Sequence, residues 1–176
     1  EKWGDIGVFV KYGMLSEDKF FDKAKKFALY PTANDTFFTF DELIEKTKDN
    51  QTDKDGNHII LYAANKEAQH GYIEEVKAKG YEVLILDSPI ISHLIQKLET
   101  SSGDAKIQFV RVDSDHADNL IKKDDTVISK LSDEEKETLK PVIEGAVNNK
   151  TYTVQLESMD SASSPFLITI PDSWKF

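Results

Sequence analysis

The pattern of hydrophobic and polar positions changes period along this chain. Phe20, Phe21, Ala24, Phe27 and Ala28 recur at three- and four-residue spacing, the signature of one helix face. Ser16 stands before them as an N-cap, with Glu17 and Asp18 where the helix dipole favours negative charge. Pro31 forces Tyr30 out of helical angles and predicts the end of that helix. Thr39 and Glu42 have capping-box spacing, and Phe38 and Leu43 are placed as a hydrophobic staple, so a second helix is predicted from Phe40. A polar stretch, Asn50–Asn57, reads as a turn.

Beyond it the apolar positions become nearly continuous over short runs. His58–Ala63, Tyr81–Leu86 and Lys106–Val112 read as strands. A helix that Asn65 can cap and Gly80 can close in a left-handed turn separates the first two. Pro89 opens another, which carries Ile90, Ile91, Leu94, Ile95 and Leu98, before the third. Apolar strands alternating with amphipathic helices predict a parallel sheet covered on both faces, with right-handed crossovers.

After the charged break Lys122–Asp125 the pattern changes again. Ser132 and Glu135 form a second capping box and open a helix toward Val147, which Pro141 is expected to bend or divide. Thr151–Glu157 alternates like a half-buried strand, and Phe166–Ile170 reads as a second one. The fold expected is α/β: a helical connector over 1–52, a small three-layer αβα unit with a short, mainly parallel sheet over 53–123, and a partial α+β segment over 124–176. Two strands and one helix make a thin core, so this last segment reads as the start of something larger.

Composition narrows the function classes. The 176 residues are 39% hydrophobic and 31% charged, as in soluble globular proteins. Cysteine is absent, which excludes disulfides, thiolate catalysis and zinc-thiolate sites and fits a reducing cytoplasm. A net charge of −10, with Arg111 the only arginine, argues against nucleic acid as a partner. The longest apolar runs, such as Val83–Leu86, fall far short of the ~20 residues that cross a bilayer. Glu1-Lys2-Trp3 opens no secretory signal, so the sequons at Asn34, Asn50 and Asn149 carry little weight. The chain does not begin with methionine, and an interior piece of a larger protein is expected.

Residues that could carry chemistry are few. The turns after the first two strands, Ala63–Glu67 and Asp87–Pro89, contain no glycine to let a phosphate reach a helix N-terminus. Asp53, Asp55 and Gly56 match three positions of a calcium loop, but Gln51 and Tyr62 occupy its first and last ligand positions. His70 and His93 read as lone helical histidines, and Asp113–Asp118 reads as a helix start capped by Ser114. No catalytic, cofactor-binding or metal-binding residue is assigned.

Several stretches in order carry a resemblance. Tyr72–Leu84, a helix, a glycine and a strand, resembles a segment of the middle domain of heat-shock-protein-90 chaperones, the bacterial type in particular. Phe38–Leu43 and His58–Ala63 look like that family's preceding helix and strand, and Val10–Met14 with Leu29-Tyr30 like the helical region before them. The likeness covers roughly the first 120 residues and fades beyond.

The resemblance implies the end of a middle domain and the start of a C-terminal domain of an ATP-dependent chaperone. ATP and magnesium would be bound by the full-length parent and not by this piece, which would be non-catalytic. Its expected partners are unfolded or partly folded clients, other domains of the parent, and a second full-length copy. Aligning the helix after the second strand puts Ser92, His93 and Gln96 at the family's client-contact positions. None keeps the family's residue, although His93 and Gln96 are large and polar. The residues alone also admit a stand-alone α/β ligand-binding or enzyme domain, or an interaction scaffold unrelated to chaperones.

Overall fold

The computed structural model describes residues 2–103, 105–123, 130–159 and 165–170. The chain divides into two compact units, one of residues 1–123 with 166–176, the other of residues 124–165.

In the first unit, α1 (Trp3–Ser16) and α2 (Asp18–Ala24) meet at Glu17, whose extended backbone breaks the helical path. Ser16 does not cap α2. Its hydroxyl donates back to the Tyr12 carbonyl, closing the last turn of α1, and Glu17 takes the cap position without a side-chain bond. The helix also stops at Ala24, before Pro31. Lys25, Lys26 and the half-exposed Phe27 give the helix no buried face to continue on, and the chain returns to the core at Ala28 and Tyr30. At Gly13 a Cβ would stand 2.9 Å from the Phe20 ring, so glycine lets α1 and α2 fold closely together.

Pro31 instead lies in β1 (Tyr30–Pro31), paired antiparallel with β2 (Phe37–Phe38). α3 (Phe40–Thr47) follows with both bonds of the expected capping box formed at Thr39 and Glu42. The Asp53–Asn57 turn is closed by the Asp53 carboxylate, which accepts from the Asp55 and Asn57 amides.

The three strands β3 (His58–Ala63), β4 (Val83–Ile85) and β5 (Ile107–Arg111) are all parallel, in the order β4-β3-β5. Between them lie α4 (His70–Ala78) and α5 (Ile91–Ser101). Period-two alternation splits the sheet's side chains between two cores. Ile60, Tyr62, Leu84, Ile107 and Phe109 face a cluster with Met14, Phe21, Leu43, Leu94 and Leu98 from α1, α2, α3 and α5. Ile59, Leu61, Ala63 and Val83 face Ile73 and Val76 of α4 and Leu120 of the short α6 (Ala117–Leu120). The sheet is thus the middle of three layers. The two crossovers step in opposite directions and pass over opposite faces, so both have the same hand.

Gly80 ends α4 at φ +79, where a side chain would be strained. Asn65 holds the turn before α4, its carboxamide oxygen accepting from the Glu67 and Ala68 amides. The edge of β4 is covered by the residues that follow β1: the Ala33 amide donates to the Val83 carbonyl over 2.8 Å, and Thr32 bridges Leu84.

Tyr30 is 1% exposed and its hydroxyl has no hydrogen-bond partner among the described residues. Burial pushes its phenol well above the usual range. A buried hydroxyl without a partner costs its desolvation and returns nothing, so Tyr30→Phe is expected to be neutral or to stabilise by up to about 1 kcal/mol. A urea midpoint that falls in this variant would contradict the buried orphan hydroxyl.

Of residues 166–170, the Ile170 amide donates to the Asp113 carbonyl over 2.8 Å and the Ile168 carbonyl accepts from the Tyr72 hydroxyl. They form no strand ladder. In the second unit, α7 (Asp133–Val147) has the expected Ser132–Glu135 capping box and ends at Asn148 in a left-handed conformation, φ 44. It runs through Pro141 as one helix and buries none of its residues within its unit. Thr151–Glu157 does not form a strand. An alternating sequence needs a neighbouring strand to complete its hydrogen bonds, and the described residues supply none there.

Candidate functional site

The carboxyl ends of the parallel strands are where an open α/β sheet usually places a ligand, and here their turns are closed by side chains. After β3 the buried Gln69 carboxamide oxygen accepts from the Ala64 amide at 2.8 Å and the Asn65 amide at 2.9 Å. With Asn65 holding those of Glu67 and Ala68, four N–H groups of this turn are already bonded to the protein. After β4, Asp87 is exposed and Ser88 half-buried. Lys11 of α1 is buried, and burial pushes its ammonium below the usual range while the Asp87 charge pulls it back. After β5, Arg111 forms a 2.5 Å ion pair with the buried Asp113, which neutralises it.

The Asp113–Asp118 stretch is built differently from the expectation. Ser114 does not cap α6; its hydroxyl donates to the Arg111 carbonyl and finishes the turn after β5. His116 is the cap, its Nδ1 accepting from the Asp118 amide. The reason is position: α6 begins two residues later than the sequence suggests, so Ser114 falls inside the preceding turn. Among the described residues, no three His, Asp or Glu side chains come together as a metal site.

Ser92, His93 and Gln96 stand on the outward face of α5. Leu94, Ile95 and Leu98 fix the opposite face in the core. Lys97 anchors the helix laterally, bonding the Asp18 carboxylate at 2.7 Å and lying 5.0 Å from the centre of the Phe21 ring. His93 and Gln96 are exposed and Ser92 half-buried. The three lie on adjacent turns of one helix. Such a face can make weak polar contacts.

A second surface had no motif to mark it. α1 is apolar around most of its circumference. Its inner side carries the buried Gly7 and Met14, while Ile6, Val8, Phe9 and Tyr12 stand on the other side, Phe9 at 74% exposure and Tyr12 at 64%. The signal in the sequence is the lack of a polar stripe in Ile6–Met14, and a helix apolar all round is one that is covered on all sides.

These features define an α/β unit preceded by helices, with an exposed polar face on α5 and an exposed apolar face on α1. The family model for the Hsp90 protein matches residues 1–173, and the chain belongs to the Hsp90 family. It is 42% identical over 96% of its length to a chaperone protein HtpG of Bacteroides fragilis, of which it covers 25%. It is 40% and 38% identical, over the same share of its length, to the HtpG chaperones of Bacteroides thetaiotaomicron and Porphyromonas gingivalis. The chain thus spans about a quarter of the length of the curated relatives it matches. A solved middle domain of a Plasmodium falciparum heat shock protein is similar at a TM-score of 0.47 and 21% identity, covering 65% of this chain and 49% of that one.

Proposed function

We propose that this chain is the part of an ATP-dependent Hsp90-family chaperone that joins the middle domain to the C-terminal domain and supplies client and interdomain contacts. Residues 1–52 form the helical connector of the middle domain, 53–123 its small αβα unit, and 124–176 the opening of the C-terminal domain. The observation that carries the reading is the family match across 1–173. ATP and magnesium bind elsewhere in the parent, which works as a homodimer in the cytoplasm, and this part does not itself turn ATP over. Among the described residues, no helix is long and apolar enough to cross a membrane. The outward stripe Phe9 and Tyr12 packs on another domain of the same parent, and the Ser92, His93 and Gln96 face meets unfolded or partly folded clients.

Client contact is tested by amide NMR of the 176-residue chain with an unfolded client protein. Shifts are expected to concentrate on α5, and the triple change Ser92→Ala, His93→Ala and Gln96→Ala is expected to weaken binding about tenfold or less, since exposed polar contacts contribute little each. A spectrum unchanged by the client would remove this role from α5.

A further inference from the structure

At the amino end of β4, away from the strand ends just described, a polar cavity of about 250 Å³ is lined by Asn34, Lys46, Thr47, Asn50, Gln51, Lys77, Gly80, Tyr81 and Glu82. We propose that this cavity binds a cationic N–H donor, a primary ammonium or a guanidinium. Its acceptors are already in place and incompletely used. Glu82 is 9% exposed, and its Oε1 accepts from the Asn34 carboxamide at 3.0 Å. The other oxygen, Oε2, has only Lys46 Nζ at 3.7 Å, beyond hydrogen-bond reach. Asn50 donates to the Gly80 carbonyl at 2.7 Å, which fixes the orientation of its carboxamide, and leaves its buried Oδ1 without a partner among the described residues.

The walls add to this bias. α3 and α4 both end at the cavity, through Thr47 and the Lys77–Gly80 turn, and helix C-termini carry partial negative charge. The floor is rigid because Gln51, 1% exposed, accepts from the Glu82 amide and donates to the Ile59 carbonyl. The cations at the rim are paired elsewhere or half-exposed. Lys77 pairs with Glu74 at 2.9 Å, while Lys46 is half-exposed and lies 5.2 Å from the centre of the Phe38 ring. A ligand cation entering between Glu82 and Asn50 would displace Lys46 toward solvent and meet two buried acceptors.

A free polyamine and the basic side chain of a polypeptide share this chemistry. The test is an amide NMR titration of the 176-residue chain with blocked Gly-Arg-Gly peptide, spermidine, tetramethylammonium and acetate. Saturable shifts at Gly80, Tyr81, Glu82 and the Asn34 and Asn50 carboxamides are expected with the first two. Tetramethylammonium, which has charge but no N–H, should leave them unmoved. Tighter binding of the peptide identifies a polypeptide side chain as the source, and tighter binding of spermidine a free polyamine; both support the site. Glu82→Gln is expected to weaken binding at least about tenfold, the loss of one charge-assisted bond, with distant amides unshifted to show that the fold is kept. Lys46→Ala, at an exposed position, is expected to strengthen it several-fold because it removes the competing cation. Saturable acetate binding that Lys46→Ala abolishes, or no saturable shift with either amine, would overturn the proposal.

Discussion

Phe109→Ala is expected to destabilise the first unit by about 3–5 kcal/mol, the usual cost of emptying a buried aromatic position. Phe109 lies on the edge strand of the sheet, yet its ring is central to the larger core. It stacks on Phe40 with centroids 6.2 Å apart and planes 5° from parallel, and meets Tyr62 edge-on at 6.4 Å. Phe40 in turn packs on Tyr30 at 6.2 Å. The row of rings therefore ties β5, α3, β1 and β3 together, and alanine in it breaks the link between Phe40 and Tyr62 and leaves a cavity. With a urea m-value of about 2 kcal/mol per molar, the midpoint should fall by about 2 M. A fall of less than about 0.3 M, within the error of such extrapolations, would mean that the ring row does not hold the layers together.

Gln51→Leu is expected to cost about 2–4 kcal/mol although it replaces a polar group with an apolar one of similar size. Gln51 is buried between β3 and β4, and its carboxamide serves one backbone group on each side: Nε2 donates to the Ile59 carbonyl at 3.0 Å and Oε1 accepts from the Glu82 amide at 2.6 Å. Leucine satisfies neither, and each orphaned buried group costs about 1–3 kcal/mol. The gain from burying more apolar surface offsets only part of that, so the sign is unfavourable. Hydrogen exchange locates the effect: the Glu82 amide should lose protection by more than the loss in global stability explains. Equal losses at Glu82 and across β3 would show that the side chain does not bond that amide.

The strands and their parallel arrangement were legible because each of the three runs is apolar enough to be buried on both faces, and the capping boxes at Thr39 and Ser132 because their bonds span only three residues. The α1–α2 boundary was not. Ser16 and Glu17-Asp18 form a good local start signal, but α1 had already claimed Ser16 through Tyr12. The two C-terminal strands failed for the opposite reason: alternation states a preference, and a ladder needs a partner that local sequence cannot provide. The α5 face was named from resemblance, and the structure places its three residues outward on one helix. The cavity by β4 was invisible in sequence, because Asn34, Asn50 and Glu82 come from three separate segments, 48 positions apart at the extremes of the Asn34–Glu82 bond.

By itself the sequence determined the capping boxes at Thr39 and Ser132, the glycine turn at Gly80, the apolar strands and therefore a sheet with helices on both faces. These follow from forces that act over a few residues: hydrogen bonds to neighbouring amides, allowed backbone angles and the period of burial. Only the tertiary structure decided the strand order β4-β3-β5, the closure of the first βα turn by Gln69, the capping of α6 by His116 and the meeting of Glu82 with Asn50 at one cavity. Each depends on side chains brought together by packing from distant parts of the chain. The free energy of such contacts is set by what surrounds them, which no local window of sequence contains.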